Sequence, residues 1–456
     1  MKISSLRTVA IACALSALSL FPALAGDPSQ GGPLSLQDCV RIALNGNPNL
    51  QAFLHSGRGA MARIGNSRSA YWPSLTLGGG MSRSYAESSG KGLLGSSSPY
   101  TSDYAQLQSQ YTLWDSGARK SAVGSAEASY KASDATYRAT AEDLALQVES
   151  SYYALEGAMW NYQVAQDTRK QTRFHLEMAK EQNKVGLVAM SDVLQAETAD
   201  ANAALAEIQA ESSVASNRAS LAVLMGWPAD SSFEIERMDA SAPLPSLPDW
   251  ASGKERALKS LPEIEAAFEN AEALRFSLKQ VKASYLPSVT LDGSYGRQDA
   301  GSWPNLETWS LGFTFHVPLF TGFARKYQVI EATEAWEGSK MSLQSTKLVS
   351  EKAAYEARIQ LQTALKSVEA AEALVRSAQE NSDVAEGQYK NGLGSMTNVV
   401  DATTALNNAK LQLVSARLSS LTALATWNRT TGLDMLEGMS LPATSAPSEK
   451  DGETKP

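Results

Sequence analysis

The residue types that most often carry out catalysis or bind metals are few and widely separated in this chain. His55, His175 and His316 lie far from one another and from Cys39. Zinc sites use Cys and His ligands at short spacings, and no such spacing occurs. No nucleophile elbow or other catalytic constellation stands out either. The sequence therefore predicts no enzyme activity, no metal and no cofactor.

One glycine-rich segment, GKGLLG at 90–95, fits the dinucleotide-binding fingerprint. That fingerprint binds pyrophosphate where it follows a strand and opens a helix. Here it lies among serines between two predicted strands, so we interpret it as a chance match.

The N-terminus and the charge indicate an exported protein. Lys2 and Arg7 precede an apolar run from Val9 to Leu20, and small residues around Ala25 suit cleavage. Residues 1–25 are therefore predicted to be a signal peptide. Their removal takes away two positive charges, so the formal net charge changes from −8 to −10. An acidic chain argues against nucleic acid as a partner.

The placement of proline predicts two long helical blocks. No proline occurs between Pro99 and Pro228 or between Pro318 and Pro442, and proline costs about 3 kcal/mol inside a helix. Apolar positions in both blocks recur at spacings of three and four, which is typical of coiled-coil packing. Glycine interrupts each block once and permits a tight reversal. Two helical hairpins are thus predicted, over 117–227 and 322–435, each about 100 Å long.

The two halves of the chain form an internal repeat. The Lys-x-Gly-Leu segment at 184–187 matches that at 390–393, and Gly226 matches Gly432 at the same spacing. Duplicated units of this kind build membrane and solenoid proteins. We expect a first repeat over 26–228, a linker over 229–251, a second repeat over 252–441 and a disordered tail over 442–456.

Each half also contains two short segments in which apolar and polar residues alternate. In the clearest, Trp309, Leu311, Phe313, Phe315 and Val317 alternate with small or polar residues. Strands of about ten residues with one apolar face, and aromatic residues at their ends, are typical of membrane β-barrels. The alternative is an ordinary sheet with one face on a protein core. The strands are predicted near 73–85, 104–114, 287–296 and 308–319.

Four strands cannot close a membrane barrel by themselves. The smallest such barrels have about eight strands, and lipid tolerates no open sheet edge. Several chains are therefore expected to share one barrel. Three copies would give about twelve strands, although counting strands leaves two or four copies open.

Together these features resemble the TolC-like family of outer-membrane channel proteins, over the mature chain up to about residue 436. Each motif is weak alone, and the resemblance depends on their order and duplication. The motifs are ALNGNP at 43–48, Tyr-x-Pro-Ser at 71–74 and 285–288, LWDSG at 113–117, LFTG at 319–322, VGLVAMSDV at 185–193 and VDATT at 400–404.

The resemblance implies a mostly α-helical fold with a membrane β part. A homotrimer would form a twelve-stranded barrel in the lipid of the outer membrane, continued by an α-helical tunnel through the periplasm. It also implies that a periplasmic adaptor protein and an inner-membrane pump dock at the far end. The docking surface would be the hairpin turns at Gly186, Leu187, Gly392 and Leu393.

The resemblance further implies that residues near the turns close the tunnel. Tyr389 matches a tyrosine that tethers the second hairpin to the first, and Asp192, with Ser191 beside it, matches a partner of that tether. The family has a second tether, an arginine, where this chain has Gly394. Closure is therefore expected to be weaker or differently built.

Two acidic residues face the tunnel entrance in the family. Asp401 matches one of them, and Asn398 stands at the other position. A trimer would present a single ring of carboxylates, and such rings favour cations. We therefore expect milder cation selectivity than in a relative with two rings. The alternative is that Asp401 only stabilises the start of its helix.

The predicted function is passive export of substrates that an inner-membrane pump hands over, in multidrug efflux or in type I protein secretion. The competing interpretation is a non-conducting coiled-coil protein that bridges the cell envelope. The sequence does not identify the cargo, the pump, the adaptor or the gating trigger.

Overall fold

The computed structural model describes residues 32–85, 99–238, 246–299, 306–433 and 441–444. The predicted signal peptide and the 90–95 segment lie outside these residues. The first half contains α1 (Leu36–Gly46), α2 (Pro48–Ser69), β1 (Ser74–Tyr85), β2 (Pro99–Trp114), α3 (Ala118–Lys184) and α4 (Met190–Leu224). The second half contains α5 (Trp250–Ser260), α6 (Pro262–Ala283), β3 (Ser288–Asp299), β4 (Leu306–His316), α7 (Ala324–Lys390) and α8 (Met396–Thr430).

The two hairpins are equal in length. Helices α3 and α7 have 67 residues each, and α4 and α8 have 35 each. A helix of 67 residues is about 100 Å long. Each hairpin reverses at a glycine in the left-handed region, Gly186 with φ 76° and Gly392 with φ 70°, a conformation that other residues adopt only with strain.

Close packing of small residues brings the two hairpins together. Helix α3 contacts α4 and α6 along much of its length and also touches α8. At the α3–α8 contact, a Cβ on Gly157 would lie only 2.0 Å from Leu418 Cδ1. Glycine at this position therefore allows the close approach of a helix from each half.

The four strands form one antiparallel sheet in the order β1-β2-β3-β4. The β2–β3 pair joins the two halves, while β1 and β4 are edges within the chain. Large apolar side chains on one face are exposed, including Leu77 at 76%, Phe313 at 75% and Trp309 at 79%. A sheet that leaves its apolar face uncovered needs another partner for that face.

The strand ends differ somewhat from the predicted bounds. Strand β2 begins at Pro99 instead of near 104, which is compatible with proline as the first residue of a strand. Strand β4 ends at His316 instead of near 319. Pro318 has no N–H to pair, and its carbonyl oxygen accepts a hydrogen bond from Arg325 Nη1 at 3.1 Å.

Two segments outside the long elements pack against the helices. In the predicted linker, Phe233 and Ile235 are buried in the main apolar core with α1, α3 and α4, and Ile235 bridges to Leu34. In the predicted tail, Thr444 is buried and hydrogen-bonds to Tyr130 and Asp134. Residues 445–456 lie outside the described part of the chain.

Across the described ranges, no helix is both long and apolar enough to span a membrane.

Candidate gate at the hairpin tips

The tips of the two hairpins pack against each other through one apolar cluster. We call it the tip cluster, and its buried members come from all four long helices: Leu176 and Ala179, Val193 and Ala196, Tyr389, Met396 and Val399. Positions 193 and 399 are equivalent in the two repeats, so duplication supplies an apolar residue from each side. The contact differs between repeats at Met190, which is 57% exposed, whereas its counterpart Met396 is fully buried.

Tyr389 lies inside the tip cluster and is 3% exposed. Burial, and after it the nearby carboxylate of Asp192, raises the pKa of the Tyr389 hydroxyl. Among the residues that the structure describes, this hydroxyl has no hydrogen-bond partner. The structure thus brings the predicted tether residues into one region but does not join them by a hydrogen bond.

A different pair connects the two hairpins. Thr397 Oγ1, on the first turn of α8, donates a hydrogen bond to Gln195 Oε1 of α4 at 3.0 Å. This pair was not predicted from the sequence. Its only sequence signal is that Thr397 occupies the place in the second repeat that Ser191 has in the first, so a hydroxyl recurs there.

Gly394 is crowded by the end of α7. A Cβ at this position would lie 3.2 Å from Gln388 Cβ and 3.4 Å from the Tyr389 nitrogen. A side chain at 394 would therefore require its neighbours at the end of α7 to move by a few tenths of an ångström.

Asn398 and Asp401 are exposed on α8, one turn apart. Val399 and Ala402 beside them are buried, so the polar pair lies on the opposite side of the helix. The Asn398 N–H also lies 3.4 Å from Ser395 Oγ, the cap of α8. Both side chains are free to face the interior of an assembly.

The turns themselves present apolar side chains to solvent. Val185 is 71% exposed, Leu187 75% and Leu393 81%. Such exposure at the end of a long hairpin is a feature of protein interaction sites.

Comparison with known proteins identifies the family. The family description "Outer membrane efflux protein" matches residues 39–227 and 254–433. "Protein CyaE" of Bordetella pertussis is 27% identical over 350 residues, which cover 74% of this chain and 71% of that protein. "Outer membrane protein TolC" of Escherichia coli is 24% identical over 447 residues, covering 93% and 89%.

A solved structure has the same fold. The outer membrane protein VceC from Vibrio cholerae superimposes with a TM-score of 0.74 at 19% identity, over 87% of this chain and 96% of that one. The family match, over 39–227 and 254–433, extends across both repeats. The chain therefore belongs to the outer membrane efflux protein family.

Proposed function

We propose that three copies of this chain form a passive export channel of the outer membrane, extended through the periplasm by the helical hairpins. The observation that carries the proposal is the pairing of an open, apolar-faced sheet with two hairpins of about 100 Å in one subunit. A sheet with two free edges closes only with other chains, and the hairpins then continue the wall as a tunnel.

The channel transmits substrates that an inner-membrane pump delivers through a periplasmic adaptor. The exposed apolar turns at Gly186, Leu187, Gly392 and Leu393 form the adaptor docking surface, because apolar side chains at a tip need a partner. A passive channel of this kind fits both a drug and a protein as cargo.

The tips form the gate. The tip cluster and the Gln195–Thr397 hydrogen bond hold the second hairpin against the first. Asp192, beside the buried Tyr389, and Ser191 lie at the same junction. Beyond the gate, Asp401 lines the entrance as a single ring of carboxylates, with the neutral Asn398 next to it.

Single-channel recording in planar bilayers tests the proposal and the role of Asp401. The wild-type protein is expected to conduct and to prefer cations. Asp401→Asn should lower the cation preference because it removes one charge from each subunit, while Glu197→Gln, at an exposed position of α4, should leave it unchanged.

Absence of any conductance from folded protein in the membrane would favour the non-conducting envelope bridge. An unaltered cation preference in Asp401→Asn would refute the carboxylate ring while leaving the channel intact. Deleting the protein, then comparing drug susceptibility with the secreted protein profile, separates efflux from secretion.

A further inference from the structure

A small cavity lies between the two hairpins, on the sheet side of the tip cluster. Its volume is about 210 Å³. Helices α3, α4 and α8 supply its walls, so residues of both repeats enclose it. The polar lining includes Thr172, His175, Asn202, Thr403 and Asn407.

His175 is the one histidine in the wall of this cavity. Its side chain is 7% exposed, and in the described part of the chain its Nδ1 atom has no hydrogen-bond partner. Thr172 and Thr403 beside the cavity are also buried, at 8% and 5% exposed. The imidazole is thus largely buried, and α8 lines the opposite side of the cavity. Separation of α8 from the first hairpin would open this cavity.

The charged groups around His175 do not compensate for this burial. On α7, Glu386 and Lys390 act on the imidazole in opposite directions, and they form an ion pair with each other at 2.5 Å. On α4, Asp200 accepts a hydrogen bond from Thr172 at 3.3 Å. The α8 residues that line the cavity are Val400, Thr403, Thr404, Asn407 and Asn408, and none of them is ionisable. Burial is the largest influence and lowers the pKa of His175 below its usual value.

We propose that His175 is a proton-sensitive positioning residue of the gate. The neutral imidazole allows α8 to pack against the first hairpin, and the protonated imidazole favours their separation. The inference rests on the proposed channel function. Its own test is the pH dependence of tip separation, which can be measured apart from conductance.

The sign follows from linkage. In the closed tip the pKa of His175 is lowered, whereas in a separated tip the imidazole meets water and recovers a pKa of about 6.5. The open state then binds the proton more tightly, so acid shifts the equilibrium toward it. Above about pH 6.5 the equilibrium between the closed and separated tips does not depend on His175. Below that value, the equilibrium constant for closure falls by up to tenfold per pH unit in each subunit.

Single-channel recording at about pH 7.5 and about pH 5.5 tests the proposal, because the two values bracket an ordinary histidine. The open fraction of the wild type should rise several-fold on acidification. His175→Gln, which cannot take up the proton, should respond much less. His55→Gln is the matched control, because His55 is exposed on α2, and it should behave like the wild type.

A second readout measures the tips themselves. Ala196 belongs to both the tip cluster and the cavity wall and is 1% exposed. In a Cys39→Ala background, the rate at which a maleimide labels Ala196→Cys should rise on acidification relative to the same protein carrying His175→Gln. Comparing the two proteins at each pH cancels the pH dependence of the thiol reaction.

Equal pH responses of the wild type and His175→Gln in both measurements would overturn the proposal. If the protein conducts at neither pH while the labelling difference persists, the channel function fails and the proton-sensitive contact stands. If the protein conducts but wild type and His175→Gln differ neither in labelling nor in pH response, the channel function stands and the proton-sensitive contact fails.

Discussion

At the scale of single residues, the closed tip depends mainly on apolar burial. Met396 and Val399 are almost completely buried, whereas the hydrogen bond between Thr397 and Gln195 at the tips is exposed to solvent. The Tyr389 hydroxyl, which the sequence predicts to be a tether, lies among apolar side chains without a hydrogen-bond partner in the described residues.

This arrangement predicts that Tyr389→Phe does not open the channel. A buried hydroxyl without a partner costs about 1–3 kcal/mol in desolvation, and phenylalanine keeps the ring in the tip cluster. The open fraction measured in planar bilayers should stay the same or fall.

Thr397→Val is the matched comparison at the same junction. It removes an exposed hydrogen bond worth about 0.5–1 kcal/mol, so the open fraction should rise about two- to fivefold. An open Tyr389→Phe channel together with an unchanged Thr397→Val channel would show that the predicted Tyr389–Asp192 tether is the true latch.

The residues of the gate were only partly predictable. Tyr389 and Asp192 were identified only through the resemblance of the turn segments to the family. Gln195 and Thr397 could not be identified in this way. They are 202 residues apart in the sequence, and their contact depends on the rotation of α4 relative to α8. His175 also gave no local signal, since residues from both repeats build the cavity that it lines.

At the scale of the elements, the junctions between strands and helices distinguish the two repeats. Each 67-residue helix follows two residues with positive φ, Ser116 and Gly117 before α3, and Gly322 and Phe323 before α7. The second of these residues is glycine in the first repeat and phenylalanine in the second. Phe323 has φ 63°, a conformation that is strained for a bulky residue.

Phe323→Gly should therefore stabilise the protein. Left-handed backbone costs a non-glycine residue about 1–2 kcal/mol. The ring of Phe323 is 64% exposed and packs edge-to-face with Phe320, at a centroid distance of 5.6 Å. The midpoint of thermal unfolding in detergent should rise by a few degrees.

Gly117→Ala is the control in the other repeat. It should lower the midpoint, because Gly117 has φ 88° and alanine introduces the strain that Phe323 already carries. A lower midpoint for Phe323→Gly would mean that contacts of the phenylalanine ring outweigh the strain of its backbone.

The elements were the most predictable part of this fold. Proline-free tracts and glycine interruptions indicated both hairpins, because helix propensity acts locally over many residues. The packing of Phe233 and Ile235 was not predicted, because a proline-rich segment has the composition of a linker even where distant residues bury its side chains. Their burial comes from the distant Leu34 and α1.

At the scale of the whole molecule, the internal repeat predicts how neighbouring subunits pair. The β1–β2 register aligns Ser74 with Gln110, and the β3–β4 register aligns the equivalent Ser288 with His316. The sheet therefore repeats itself within the chain. In the β2–β3 pair, Leu107 lies opposite Tyr295. The equivalent residues on the free edges are Phe313 of β4 and Met81 of β1. Pairing of neighbouring subunits in the same register therefore places Phe313 of one subunit opposite Met81 of the next.

The side chains at these positions suit the predicted pairing. Met81 is 77% exposed and Phe313 75% exposed, and both lie on the apolar face of their strands. Directly opposed residues of an antiparallel pair have Cβ atoms about 4.5–5.5 Å apart, which is close to what a disulfide requires.

Disulfide cross-linking of Met81→Cys together with Phe313→Cys, in a Cys39→Ala background, measures how many subunits share the wall. After oxidation in membranes, a denaturing gel should show covalent dimers and trimers and nothing larger. Met81→Cys with Trp309→Cys, displaced by four residues along β4, should remain largely monomeric. A product that stops at two or four subunits, a ladder of longer products, or preferential cross-linking of the displaced pair would contradict the three-subunit wall.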